Sequence, residues 1–407
     1  MDANNRSNDI FFTIIIPTRE RSDTLMHTLK SALSQDYEYF NVLVSDNASD
    51  DDTAEKVAEI KDSRLRYINT GRRVSMSENW EFAISHVDGG WVTILGDDDA
   101  ILPGALNRVN EIIKETGASA VRSNGCSYRW PGFNGSNYGS LSLSLRRGYE
   151  TRCSGSMLQQ VLNGGRPYNE LPMLYNGGFV SSDLIRQAKS VTGKFFQSMI
   201  PDVYSAVVLS LLTESYVYSH EPLAINGASL HSGGTAGFEK VKQKRSYDPA
   251  EKFWSETNIP FHDDLPLMRT GRPVRSISII VYESFLQARQ FHRFKDVATT
   301  HERQLGIAIE KSGPDPNEVE EWVFMFAEKH NIKINSQLKS RLHLAGIFRK
   351  VSARIMSLCH SYRIEGNKCL AIKNVYDAAY AAGVIKMIGP SRFKNIIHTI
   401  CDRVRNA

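Results

Sequence analysis

Three consecutive carboxylates, Asp97-Asp98-Asp99, follow the apolar run Trp91-Val92-Thr93-Ile94-Leu95 and a single glycine, Gly96. Like charges so close repel one another, and a hard divalent cation is the usual way to neutralise them. Magnesium or manganese suits such oxygen ligands; a hydrophilic turn capping the helix after Pro103 is the competing reading. A cation held by one or two protein carboxylates completes its shell with water and substrate phosphates, so the triplet points to a nucleoside diphosphate. Arg19, Arg21, Arg72 and Arg73 would bring positive charge to the same phosphates. Asp46, in Val44-Ser45-Asp46-Asn47, would accept a hydrogen bond from a base or ribose, or else cap the next helix.

These residues are far apart in sequence and need a scaffold that gathers them. The apolar, β-branched residues 11–16 predict a buried strand closed by Pro17, and residues 24–34 carry Leu25, Leu29, Ala32 and Leu33 at helical spacing. Strands at 41–45, 65–69, 91–95 and 118–122 then alternate with helices at 54–61, 77–86 and 104–115. Such alternation with short connections implies an α/β fold with a mostly parallel sheet, flanking helices, and ligand loops at the carboxyl ends of the strands. The loop Pro17-Thr18-Arg19-Glu20-Arg21, Asp46-Asn47 and the aspartate triplet all lie at such ends. Residues 123–176, rich in Gly, Ser, Asn, Tyr and Arg, read as irregular connections over the sheet and as the place for substrate specificity. Segments 178–181 and 215–218 (extended) and 182–190 and 201–213 (helical) complete this half. The division that follows is a tail at 1–10, a catalytic domain at 11–237 and a separate, mainly helical region at 238–407.

The chain has 407 residues, 41% hydrophobic and 23% charged, which is globular composition for two or three domains. Five scattered cysteines, none in a C-x-x-C pair, suggest neither a disulfide framework nor a cysteine zinc site, and point to a reducing compartment. A polar start and no run of roughly 18 apolar residues predict a cytoplasmic protein. The net charge of +4 is uneven: residues 332–407 hold 14 Lys and Arg against 3 Asp and Glu. The modest global charge argues against a general nucleic-acid binder, whereas the basic tail suits an anionic membrane face, a phosphorylated partner or another subunit, as in a homo-oligomer. Residues 342–358 mix apolar with basic side chains as an interfacial helix would, or as a helix packed on the catalytic domain. No G-x-G-x-x-G follows the first strand, and G-x-x-x-x-G-K-[ST], G-x-S-x-G and H-E-x-x-H are missing, which disfavours a dehydrogenase, a P-loop ATPase, an α/β-hydrolase and a zincin.

Four ordered blocks, Ile14-Ile15-Ile16-Pro17-Thr18-Arg19, Val44 to Thr53, Met76 to Ala83 and Leu95-Gly96-Asp97-Asp98-Asp99-Ala100-Ile101-Leu102-Pro103, resemble the family-2 glycosyltransferases with a GT-A fold. The resemblance is fullest over residues 11–125, extends to about 237 and stops there. It implies a nucleotide-sugar donor, most often UDP-linked, a Mn or Mg ion at the acidic motif, and transfer with inversion to a carbohydrate or lipid-linked acceptor, on the cytoplasmic side and at the inner membrane face if the tail binds lipid. It implies that Pro17, Thr18, Arg19 and Asp46 hold the nucleoside, with Arg21 nearby, that Asn79 supports the ribose or phosphate region, and that Asp97, Asp98 and Asp99 meet donor and metal. Many relatives carry an aspartate where this chain has Gly96, so Asp97 with Asp99 and Asp98 with Asp99 both remain possible pairs, with Asp99 the expected metal ligand. Asp202, at the start of an apolar helix in Ile200-Pro201-Asp202-Val203, resembles the family's catalytic base, with Asp183 and Glu170 in reserve. His231 resembles a position that reaches the diphosphate or metal. A sugar nucleotidyltransferase would show a Gly-rich activation loop near the first strand, which is missing; a noncatalytic nucleotide- or sugar-binding scaffold would not need the four aspartates together.

Overall fold

A computed structural model describes residues 9–133, 137–230, 253, 258–294, 296–311, 315–334, 361–367, 370 and 372–405. Strands β1 (Phe12–Thr18), β2 (Phe40–Asp46), β3 (Leu65–Asn69) and β4 (Trp91–Ile94) pair in parallel in the order β3-β2-β1-β4. The sheet continues through β10 (Gly178–Ser181), β6 (Ala120–Ser123), β11 (Ser215–Ser219) and β9 (Tyr149–Cys153), eight strands in all, with β10 and β9 antiparallel to their neighbours. β1 is central and covered on both faces, which is why its run is apolar throughout rather than alternating. Register sets Thr18 beside Asp46 and Ile15 beside Ile94, so the loops after β1, β2 and β4 open on one edge.

Helices α1 (Ser22–Leu33) and α4 (Ala105–Thr116) bury Leu25, Leu29, Leu106, Val109 and Ile112 on one face of the sheet. On the other lie α3 (Met76–Ile84), α5 (Ser154–Leu162), α6 (Ser182–Thr192) and α7 (Pro201–Leu212). α3 begins in a capping box, the Ser75 hydroxyl accepting from the Glu78 N–H while the Glu78 carboxylate accepts from the Ser75 N–H. α7 starts with Pro201, whose missing N–H costs nothing at a helix start. Nearly every side chain of α7 is buried, because the sheet covers one side and α8 (Ile277–Gln287) the other.

Two features differ from the sequence-based expectation. Residues 123–176 are largely ordered: β7 (Cys126–Arg129) and β8 (Ser140–Ser144) join β12 (Ala224–Ala228), the short β5 (Ala100–Ile101) and β13 (Ser361–Glu365) in a second, five-stranded sheet, order β13-β8-β7-β12-β5. These strands are only four or five residues long and alternate polar with apolar side chains, leaving too few apolar positions for periodicity to register. The C-terminal part is also not a separate body. α8, α9 (His301–Glu310) and α10 (Pro316–Lys329) share a core with Ile15, Val203 and Val207, β13 (Ser361–Glu365) pairs with β8, and α11 (Val375–Ile388) packs against α1 and the small sheet; α12 (Pro390–Arg405) follows. An amphipathic helix buries its apolar stripe wherever a matching face is open, and here that face belongs to the preceding half of the chain. Residues 342–358 lie outside the described residues. Among the described residues no helix is long and apolar enough to cross a membrane.

Candidate active site

The aspartate triplet sits where the two sheets meet, between the end of β4 and the start of β5, and its three carboxylates have three different environments. Asp97 accepts from the Thr18 hydroxyl at 2.8 Å and from Arg21 Nη1 at 2.9 Å, one donor on each oxygen. Thr18 and Arg21 follow β1, so this contact ties loops 76 and 79 residues apart. Burial raises the Asp97 carboxyl, with Arg21 opposing. Burial also weakens the Arg21 guanidinium, but Asp97 and then Asp98 outweigh it and keep it charged. Thr28 of α1 donates to the main-chain carbonyls of Asp97 and Asp99, at 3.0 and 2.7 Å.

Asp99 is fully buried. Its Oδ2 accepts from the Gly96 N–H at 3.0 Å and the Tyr175 hydroxyl at 2.9 Å, and its Oδ1 from the Gly227 N–H at 2.7 Å. Burial and the adjacent Asp98 push its carboxyl up to about 8, against those three donors. Gly96 follows from this arrangement: a Cβ there would lie 2.7 Å from Asp99 Oδ2 and 3.0 Å from the Tyr175 hydroxyl. An aspartate at position 96 has no room while Asp99 folds back. Gly227 is equally constrained, since its Cβ would come within 1.8 Å of the Asp98 carbonyl oxygen.

Asp98 accepts from the Ser229 hydroxyl at 2.7 Å, and its carbonyl from Trp130 Nε1 at 3.0 Å. In this structure Asp99 braces β4, β12 and the Tyr175 loop, Asp97 anchors the β1 loop, and Asp98 accepts from Ser229 at the end of β12. Among the described residues no group of three His, Cys, Asp or Glu forms a cage, and His231 lies outside them. The donor set fits a Mg or Mn ion of the kind that takes one or two protein carboxylates and completes its shell from phosphate and water.

The remaining expected donor-site residues divide. Pro17 and Arg19 flank Thr18 at the open edge. Asp46 is buried and accepts from the Ser49 N–H and hydroxyl on one oxygen and from Tyr67 and Asn69 on the other; the structure gives it the loop after β2 to hold. Asn79 bonds the Ser45 hydroxyl and carbonyl and so fixes α3 to β2 from within. Arg73 pairs with Glu20 and Asp50, and Arg72 is exposed.

Asp202, in the first turn of α7, lines a cavity of about 530 Å³ together with Arg122, Asn124, Tyr168, Tyr175 and Asn226. Tyr175 links the two places, lining the cavity while its hydroxyl donates to Asp99 behind it. Loss of hydration raises the Asp202 carboxyl, and the Tyr168 hydroxyl, donating at 3.0 Å, pulls it back. The reserves sit elsewhere: Glu170 is paired with Arg152 and Arg166, and Asp183 with Arg186 on an exposed turn. Sequence reasoning missed Arg122, Tyr168, Tyr175, Gly227 and Ser229. Arg122 is buried and donates to the main-chain carbonyls of Asn169, Tyr175 and Asn176, which fixes the loop carrying both tyrosines. Only Asn226-Gly227-Ala228-Ser229, just before His231, gave a local sign of a close backbone approach.

Residues 13–167 match the family model for glycosyl transferase family 2. The α/β architecture above, with its large sheet flanked by helices, is the one the motifs imply. Among relatives, a GalNAc(5)-diNAcBac-PP-undecaprenol beta-1,3-glucosyltransferase of Campylobacter jejuni is 32% identical over 106 residues, 25% of this chain and 34% of its own length. The succinoglycan biosynthesis protein ExoO of Rhizobium meliloti is 30% identical over 112 residues, 28% of this chain and 32% of its own. The chain thus spans about a third of the length of the curated relatives it matches. Among solved structures, Staphylococcus aureus TarS 1-349 in complex with UDP-GlcNAc aligns with a TM-score of 0.44 at 13% identity, over 93% of this chain and 92% of that one.

Proposed function

We propose that this chain transfers a sugar from a nucleoside-diphosphate donor, UDP-linked, to a hydroxyl of a lipid-linked carbohydrate acceptor, with inversion at the anomeric carbon, at the cytoplasmic face of a membrane. The observation that carries this reading is the Tyr175 link, by which the wall of the Asp202 cavity is hydrogen-bonded to the acidic triplet at the end of β4. Relatives whose names specify undecaprenol-diphosphate sugars support the acceptor class, and those named for UDP-Glc the donor.

Inversion requires attack from the side opposite the leaving diphosphate, with a base at the attacking oxygen. Asp202 is that base. The acceptor hydroxyl gives its proton to the Asp202 carboxylate, its oxygen bonds the anomeric carbon, and the electron pair of the broken carbon–oxygen bond leaves with the diphosphate. Partial dehydration strengthens Asp202 as a base, while the Tyr168 hydroxyl fixes the oxygen it bonds. Thr18 and Arg21 hold Asp97, and through it the β1 loop, against the triplet, which keeps the donor edge in one shape. A divalent cation bound through the Asp97-Asp98-Asp99 triplet would supply charge to offset the departing diphosphate.

The test is release of nucleoside diphosphate from a panel of nucleotide sugars with Mn or Mg and polyprenyl-diphosphate sugars, comparing wild type with Asp98→Asn and Asp202→Asn. The expected result is metal-dependent turnover from one donor, lost in both variants, with calorimetric donor binding kept in Asp202→Asn. Turnover undiminished in Asp202→Asn would remove it as base. No binding of any donor to the wild type would favour a noncatalytic scaffold.

A further inference from the structure

The cavity at Asp202 has a second wall that the chemistry above does not use. β8 reads Ser140-Leu141-Ser142-Leu143-Ser144. Leu141 and Leu143 are buried with Tyr128 and Ile225 in the core beneath α11, so alternation along the strand turns the serines to the opposite face. Register then builds a row across neighbouring strands, because Ser142 stands opposite Ser127 of β7 and Ser127 beside Asn226 of β12. Ser127, Ser142, Ser144 and Asn226 all line the cavity, facing Tyr168, Tyr175 and Asp202. The wall is thus hydroxyl and amide groups from adjacent strands, about 4.8 Å apart.

Two further observations point to a ligand of definite chemistry. Asn176 lines the same cavity, and its Nδ2 is buried without a hydrogen-bond partner among the described residues; a buried donor of this kind is costly unless something fills the site. Arg122, the cavity's one lining cation, has its guanidinium committed to three main-chain carbonyls. Among the described residues the lining therefore offers many neutral donors and acceptors, one cation whose Nε and Nη1 are spent on main-chain carbonyls, and one carboxylate, Asp202, which disfavours an anion beside it.

We propose that the face formed by Ser127, Ser142, Ser144, Asn226 and Asn176 is the acceptor-sugar subsite, and that it selects an uncharged pyranose over a uronic acid. Resting on the function proposed above, the inference adds which wall reads the acceptor and what charge that sugar carries. Neutral hydroxyls on successive ring carbons match hydroxyl and amide groups spaced along the strand row, and the sugar amide or hydroxyl nearest Asn176 accepts from its Nδ2. β13, pairing Arg363 with Ser142 and Tyr362 with Leu143, holds β8 in this register, so the C-terminal part of the chain helps to shape specificity.

The experiment uses the full chain. Saturation-transfer NMR with methyl glycosides of glucose, N-acetylglucosamine and glucuronic acid is run on wild type and on Ser127→Ala/Ser142→Ala and Asn176→Leu, alongside calorimetric donor binding. The expected result is saturation of the neutral glycosides, none of the glucuronide, and loss of the signal in either variant, with donor affinity within twofold of wild type. In turnover assays the acceptor KM should rise about tenfold for the double variant, as expected for two neutral hydrogen bonds. Equal saturation of the glucuronide, or neutral-sugar binding unchanged in both variants, would overturn the proposal. A wild type that binds these sugars through this wall but binds no nucleotide sugar would instead overturn the glycosyl-transfer reading and leave the sugar site standing.

Discussion

Glu283, on α8, is completely buried, and its environment converts directly into a pH dependence of stability. It accepts from the Ser198 hydroxyl and from Gln287, and Ser198 in turn accepts at its carbonyl from Ser77 of α3. The residue thus fastens the C-terminal helices to the loop that leads into α7 and Asp202. Burial pushes its carboxyl from the ordinary 4.5 up to about 7, because those hydrogen bonds only partly replace lost hydration. Between these values the folded protein holds a proton that the unfolded chain has released, so stability falls as pH rises from about 4.5 to about 7 and is level above. Ionising the buried carboxyl, held up at about 7 against the ordinary 4.5, corresponds to a penalty of roughly 3 kcal/mol at pH 8. Glu283→Gln preserves shape and hydrogen bonding: the amide oxygen accepts from Gln287 and the amide nitrogen donates to the Ser198 hydroxyl. Urea unfolding of both proteins from pH 4.5 to 8 should give a stability difference that grows in favour of the variant by about 3 kcal/mol, at constant m. Curves that stay parallel over this range would refute the reasoning, since a carboxylate that ionises freely in the fold carries no such penalty.

Tyr168→Phe removes the hydroxyl that draws the Asp202 carboxyl down, so the acidic limb of the kcat/KM profile should move to higher pH; a limb that stays put would mean Asp202 is not the titrating base. Thr18→Val keeps the side chain's shape but deletes a buried donor to Asp97, for an expected loss of about 2 kcal/mol in denaturant unfolding. Gly227→Ala must displace the Asp98 carbonyl. Calorimetry should show donor affinity reduced by at least tenfold, and wild-type affinity would show that the triplet tolerates the shift. Asp99→Asn should lower the melting temperature even without donor, because the amide cannot accept from the Gly96, Gly227 and Tyr175 donors together; a purely metal-binding Asp99 would leave the unliganded melting temperature unchanged.

The sequence by itself determined the parts whose signals are local. An apolar run ending in Pro17 reads as a strand, Leu25 and Leu29 as the buried face of a helix, and strand-helix alternation forces the polar loops of β1, β2 and β4 to one edge, because right-handed crossovers between parallel strands leave few alternatives. Hence Thr18, Asp46 and the triplet could be grouped without coordinates. Which aspartate does what could not, because Asp97, Asp98 and Asp99 are chemically identical in sequence and differ only in their partners: Arg21 and Thr18 for the first, Ser229 for the second, Gly96, Gly227 and Tyr175 for the third. The same holds for Asp46 and Asn79, which read as ligand-binding residues and whose protein partners, Ser49, Tyr67 and Ser45, only the fold reveals. The small sheet and its serine face were illegible because short strands with two apolar positions each gain their stability from α11 and β13, more than two hundred residues later. Such pairing is fixed by what the rest of the chain leaves uncovered, which only the tertiary structure decides.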